Sequence, residues 1–102
     1  MIYLKNGHSI TIGNAGALAS RTHVSYADVS GATLDGSSAI VTSSATTYNV
    51  ATYAAAGTRN VRLVTVSNDG ASAGVFTISH NTGATTAPIG KALLQPGQVL
   101  VY

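Results

Sequence analysis

The chain alternates apolar and polar residues over short distances. Residues 8–12, HSITI, place Ile10 and Ile12 on one face of an extended segment. Residues 22–29, THVSYADV, put Val24 and Tyr26 on one face and His23 and Ser25 on the other. The runs 38–42 (SAIVT), 46–53 (TTYNVATY), 60–67 (NVRLVTVS) and 74–80 (GVFTISH) continue the period of two. Tyr48 and Val50 are in phase in the second of these, and Phe76 and Ile78 in the last. KALL at 91–94 and QVLVY at 98–102 close the chain. Turn-forming breaks lie between the runs at Gly13–Gly16, Gly31, Asp35-Gly36, Asn68-Asp69-Gly70, Gly83 and Pro96-Gly97.

Short strands at intervals of about 8–12 residues are the signature of a sandwich or barrel. The pattern predicts one all-β domain over residues 1–102, an antiparallel β-sandwich of jelly-roll or Ig-like type with roughly seven to nine short strands. NDGASA between two strong strands predicts a hairpin with a long loop. Pro96-Gly97 suits the central positions of a type II turn, which splays hairpin strands and so predicts a corner between sheets. VATYAAAG, residues 50–57, has three alanines that favour helix but is too short to be stable alone, and it is read as strand running into loop. Residues 1–12 are either the first strands of the core, through Ile2, Leu4, Ile10 and Ile12, or an arm that adds a strand to a partner.

RNVRLVTVSND, residues 59–69, carries two alternating apolar sets. Val61 and Leu63 fall on one face, Val64 and Val66 on the other. Such a strand is expected to be central and buried on both sides, or to lie against another subunit. Arg59 flanks its start. Arg62 falls in phase with Val64 and Val66, which makes it a candidate interface residue. The alternative is an arginine lying along the sheet with its stem on apolar neighbours and its head in water.

Composition sharpens the second half of that reading. Charged residues make up 8% of the chain, against about 25% in typical globular proteins. A surface so poor in charge gives little protection against association and predicts a homo-oligomer or a component of a lattice; among homo-oligomers a trimer is favoured. The net charge of +2 rests on few residues and forms no basic cluster beyond Arg59 and Arg62, which argues against nucleic-acid binding. The chain has no cysteine, and so neither a disulfide framework nor a thiolate metal site. Its first residues do not read as a signal peptide, and no apolar run approaches the roughly 18 residues of a membrane span.

Candidate chemistry is sparse. The acids are Asp28, Asp35 and Asp69, and the last two precede glycine, where turn geometry accounts for them. His8, His23 and His80 lack the spacing of a metal motif. Nucleophile-elbow, phosphate-loop and calcium-loop patterns are absent. The sequence predicts no catalytic, cofactor or metal site. The five tyrosines are either ordinary strand residues or flat faces for recognition.

The segment AAAGTRNVRLVTVSNDGASAGVFTISHNTG, followed by KALLQPGQVLVY, resembles a family of small structural proteins of tailed-bacteriophage virions. The shared order is an Ala/Gly turn, R-N-V-R with an apolar strand, an Asn-containing turn, an alternating V-F-T-I strand, and an L-L-x-P-G-x-x-L-x-Y ending. THVSYADVSG upstream resembles the family's earlier strand. The resemblance implies a β-sandwich that packs on other virion proteins. It implies a capsid decoration (cement) protein, made in the host cytoplasm, bound to the major capsid protein on the outer head surface. A tail or fibre component, partnered by tail proteins or acting as a receptor- or glycan-binding module, is the alternative. Arg59, Arg62, Ile2, Leu4 and Tyr102 are the candidate interface residues.

Overall fold

The computed structural model describes residues 2–102. They form nine strands and no helix: β1 (Ile2–Leu4), β2 (His8–Asn14), β3 (Ser20–Ser30), β4 (Thr33–Ser43), β5 (Thr47–Tyr53), β6 (Thr58–Asn68), β7 (Gly74–Asn81), β8 (Thr86–Leu94) and β9 (Val99–Val101). Two antiparallel sheets pack as a sandwich. The five-stranded sheet runs β1-β6-β3-β4, with β9 on the same side of β6 as β1, and the four-stranded sheet runs β5-β2-β7-β8. Only β3–β4 and β7–β8 are hairpins within one sheet; the other connections cross between sheets. Met1, the first residue of the predicted arm, lies outside the described residues.

The predicted inward phases close the core. Ile10, Ile12, Phe76 and Ile78 from one sheet meet Val24, Val61, Val64 and Val66 from the other, all buried. Ile2 and Leu4 pair with β6 and lie in the same cluster, which makes β1 part of the domain's own core. Burial of these side chains is the main stabilising term, on the order of 1.5–3 kcal/mol for each large one.

Strand β6 corrects the sequence reading. Leu63 is paired with Ser25, and Val61 with Tyr26, so Arg62 is an extra residue in β6. This β-bulge shifts the phase by one residue. Val61, Val64 and Val66 therefore all point inward, while Arg62 and Leu63 both stand exposed. The strand is central but not buried on both faces, and Arg62 does not share a face with Val64 and Val66. A second bulge at Val50, opposite the junction of Ile10 and Thr11, buries Val50 and Ala51 side by side.

Two breaks are also reassigned. Asp35-Gly36 lies inside β4, and the β3–β4 hairpin turns instead at Gly31-Ala32, where Gly31 has φ 59°. Only a residue tolerant of positive φ suits that corner. NDGASA is not a hairpin loop, because β6 and β7 belong to different sheets. It is a crossover held by Asn68, which is fully buried. The Asn68 Nδ2 donates to the carbonyls of Ser72 (2.8 Å) and Leu94 (3.0 Å), and its Oδ1 accepts from Gly70 N–H (2.9 Å). Pro96-Gly97 does turn between the sheets, with Gly97 at φ 85° and Gln98 N–H donating to the Gln95 carbonyl at 3.0 Å. Strand β8 begins at Thr86, earlier than the KALL run suggested.

Candidate binding surface

The two arginines of R-N-V-R have opposite fates. Arg59 is in the inward phase of β6, opposite Leu4 on one side and Asp28 on the other. Its Nε and Nη2 donate to the two Asp28 carboxylate oxygens at 2.8 and 3.0 Å. Its Nη1 donates across the sandwich to the Thr52 carbonyl at 3.1 Å. The guanidinium lies 4.0 Å from the Tyr26 ring centroid and 5.4 Å from that of Tyr53. The hydrogen bonds to Asp28 hold the Arg59 proton more tightly than usual. Arg59 thus ties β3, β6 and β5 together and is engaged within the chain. Arg62, at the bulge, is exposed on the outer face of the five-stranded sheet.

That outer face is built by register. Tyr3, Asn60, Ala27 and Gly36 form one row; Leu63, Ser25 and Ser38 another; Val101, Thr65, His23 and Ile40 a third; Val99, Ser67, Arg21 and Thr42 a fourth. Tyr3, Leu63, Val99 and Val101 are exposed there, on a sheet whose core is already complete without them. The Asn60 Oδ1 is buried on this face and has no hydrogen-bond partner. A shallow hollow of about 310 Å³ lies over the last two rows, lined by Arg21, His23, Ile40, Thr65, Ser67 and Val99.

Of the other candidates, Ile2 and Leu4 are core side chains and Tyr102 is exposed where the chain end pairs with Val64. Tyr26, Tyr48 and Tyr53 face inward. The Tyr48 hydroxyl hydrogen-bonds to Ser20 and Thr22, and the Tyr53 hydroxyl donates to the Ala56 carbonyl at 3.0 Å. Tyr3 and Tyr102 are the exposed ones.

The structure brings together one pair that sequence spacing did not. His8 Nδ1 lies 3.1 Å from His80 Nε2, with the rings tilted at 59°. Burial and then the charge of His8 push the His80 imidazole below its ordinary range. His23 is on the outer face of the opposite sheet, away from this pair. Among the described residues no three metal-ligating groups come together. The pair had a readable signal: His8 is in phase with Ile10, and His80 with Ile78, so both point inward.

Neither a family model, nor a curated protein, nor a solved structure matches this chain.

Proposed function

We propose that this protein is a structural component of a tailed-bacteriophage virion, a decoration protein that binds the major capsid protein on the outer head surface as a homo-oligomer. The observation that carries the reading is the outer face of the five-stranded sheet. It presents Tyr3, Leu63, Val99 and Val101 to solvent together with the unpartnered Asn60 Oδ1. Contiguous apolar surface beyond what a monomer needs marks a contact site. Covering it releases water from the apolar side chains, and a donor from the partner would satisfy Asn60. Many copies, each adding a small contact, stabilise a shell through avidity.

The resemblance to virion proteins, which runs from about Thr22 to the C-terminus, supports the same reading, since those residues build the central strands β3 and β6 and the strands around them. A tail or fibre role draws on Tyr3 and Tyr102, the tyrosines left free to stack on a glycan or a receptor.

The test is immunogold electron microscopy of phage particles with antibody against this chain. Gold spread over the heads supports decoration. Gold confined to tails overturns it in favour of the tail reading, and unlabelled particles overturn both.

A further inference from the structure

A sandwich has four sheet edges, and unpaired edges invite pairing with other chains unless something blunts them. Three of the four are blunted here. Strand β8 carries Pro88 and Lys91 and a register shift against β7. Strand β5 carries the bulge at Val50. The third edge is split between β1 and β9, each of 3 residues.

Strand β4 is guarded only by Asp35, whose position falls in the inward phase opposite Asp28. It is 11 residues long, pairs with β3 without any register shift, and contains no Pro, Lys or Arg. It also carries the two most exposed large hydrophobic residues among those described, Ile40 (68%) and Leu34 (66%). Both lie on the outer face, since they pair with Val29 and His23 six positions apart on β3.

The spacing of those two residues identifies the occupant. Place a second copy of β4 antiparallel to the first, on a twofold axis through Ser37. Every residue then faces the one whose number completes a constant sum. Leu34 lies opposite Ile40 of the other copy, and Ile40 opposite its Leu34, so one register covers both exposed residues twice. Gly36 lies opposite Ser38, and Asp35 opposite Ala39. The one charge on the strand meets no like charge: the two Asp35 positions are offset by four residues, roughly 13 Å along the strand, beyond the ~10 Å screening length at 0.1 M salt.

We propose that two copies of this chain pair through β4, antiparallel about Ser37, and join their five-stranded sheets into one continuous ten-stranded sheet. The unpaired backbone groups of both edges are satisfied, and directly opposed Leu–Ile pairs add the side-chain contact that stabilises a strand pair. The contact is isologous and closes at two copies. The favoured trimer would need a different surface. The inference is independent of the virion reading, because it concerns the isolated protein.

Size-exclusion chromatography with light scattering on the full chain tests it. A dimer is expected. Ile40→Lys and Leu34→Lys should each shift it to monomer while the far-UV circular dichroism of a β-protein is kept, and Leu93→Lys, comparably exposed but on the four-stranded sheet, should leave the dimer. The chain lacks cysteine, so introduced thiols report register without changing the core. Under mild oxidation Ser37→Cys should form a disulfide-linked dimer, because directly opposed strand residues fall within disulfide reach. Ser38→Cys and Ser44→Cys should not. A monomeric or trimeric wild-type protein, a dimer indifferent to both lysine variants, or cross-linking through Ser38→Cys in preference to Ser37→Cys would each overturn the proposal.

Discussion

The two ends of the core are closed by different chemistry. At one end lie neutral amides and hydroxyls: Asn68 with its three side-chain hydrogen bonds, Asn14 receiving the Leu18 N–H at 2.6 Å, and Tyr48 bonded to Ser20 and Thr22. At the other lie ionisable groups: the Arg59–Asp28 pair stacked on Tyr26 and Tyr53, and the His8–His80 pair beside it, with His8 opposite Tyr53 in the sheet. A buried amide keeps its hydrogen bonds at any ordinary pH. A half-buried ion pair or imidazole pair depends on protonation. The difference teaches that the buried side chains at one end of this sandwich are indifferent to pH, with charge only at its exposed rim in the Arg21–Asp69 pair, while those at the other end are not.

Breaking the neutral end should have the larger effect. Asn68 is fully buried, and Asn68→Ala leaves the Ser72 and Leu94 carbonyls and the Gly70 N–H without their partner. The bond to the Leu94 carbonyl is buried, and an unpaired group there costs about 1–3 kcal/mol; the Ser72 and Gly70 groups are nearer solvent, and the cavity left by the fully buried side chain adds to the loss. We expect a loss of about 3 kcal/mol or more by urea denaturation. Asn68→Asp should be nearly as harmful, because a carboxylate cannot donate to two carbonyls. A loss below about 1 kcal/mol in both variants would mean that the crossover loop holds itself in place.

The ionic end should respond less. Arg59 is 18% exposed and Asp28 29%, so water screens part of the pair. Arg59→Ala should lose about 1–3 kcal/mol. Arg59→Lys should recover little of it, since an ammonium cannot make the bidentate contact or the flat stack on Tyr26. Arg62→Ala, three positions on, should change stability by no more than about 0.5 kcal/mol, as for any exposed residue without partners. Equal effects at Arg59 and Arg62 would erase the distinction between the inward and the bulged arginine.

That distinction marks the limit of what the sequence conveys. Alternation alone gave the inward faces of β2, β3 and β7 correctly, because the extra residue at each register shift lies in the partner strand, β5, β6 or β8, and these three keep their own period of two. Strand β6 breaks phase between Leu63 and Val64. Two physical states produce the same string there: a strand buried on both faces, or a strand bulged by one residue. Only the partner decides, and β3 supplies one residue fewer than β6 over the same length. The arginine just before the break was the available hint, since a charge in the middle of a doubly buried strand would lack a counter-ion. Strand β4 was underestimated for a related reason. Asp35-Gly36 is turn chemistry by composition, but Gly31 had already provided the turn, and an edge strand tolerates glycine. The Arg59–Asp28 and His8–His80 contacts depend on which strands are neighbours. That is non-local information, although all four residues sit in the inward phase at strand ends, where a polar residue needs a partner.

The smallest effect sharpens the comparison most, because it acts on one end alone. A folded-state imidazole held below its ordinary value opposes protonation, while the unfolded chain takes up the proton near pH 6.5. The unfolded state then binds more protons, and stability falls with falling pH. For His80 this contribution is absent above about pH 6.5 and grows as the pH drops towards the lowered folded value, after which it levels off. With both rings protonated, the short Nδ1–Nε2 contact would hold two donors and no acceptor. No carboxylate offsets them: Asp28 is committed to Arg59, Asp69 lies beside Arg21 and Ser67 at the other end, and Asp35 is exposed on the β4 edge. Thermal melts between pH 7.5 and 4.5 should therefore show a decline that begins below about pH 6.5, with a slope no steeper than the roughly 1.4 kcal/mol per pH unit of one proton. His80→Gln should flatten that decline, while His23→Gln, an exposed imidazole on the opposite sheet, should leave it unchanged. Hydrogen exchange should place the loosening at the ends of β2 and β7 around His8 and His80, with the amides around Asn14 and Asn68 still protected. Uniform loosening of both ends would show that the core opens as one unit and that the chemistry of its two ends does not divide its stability.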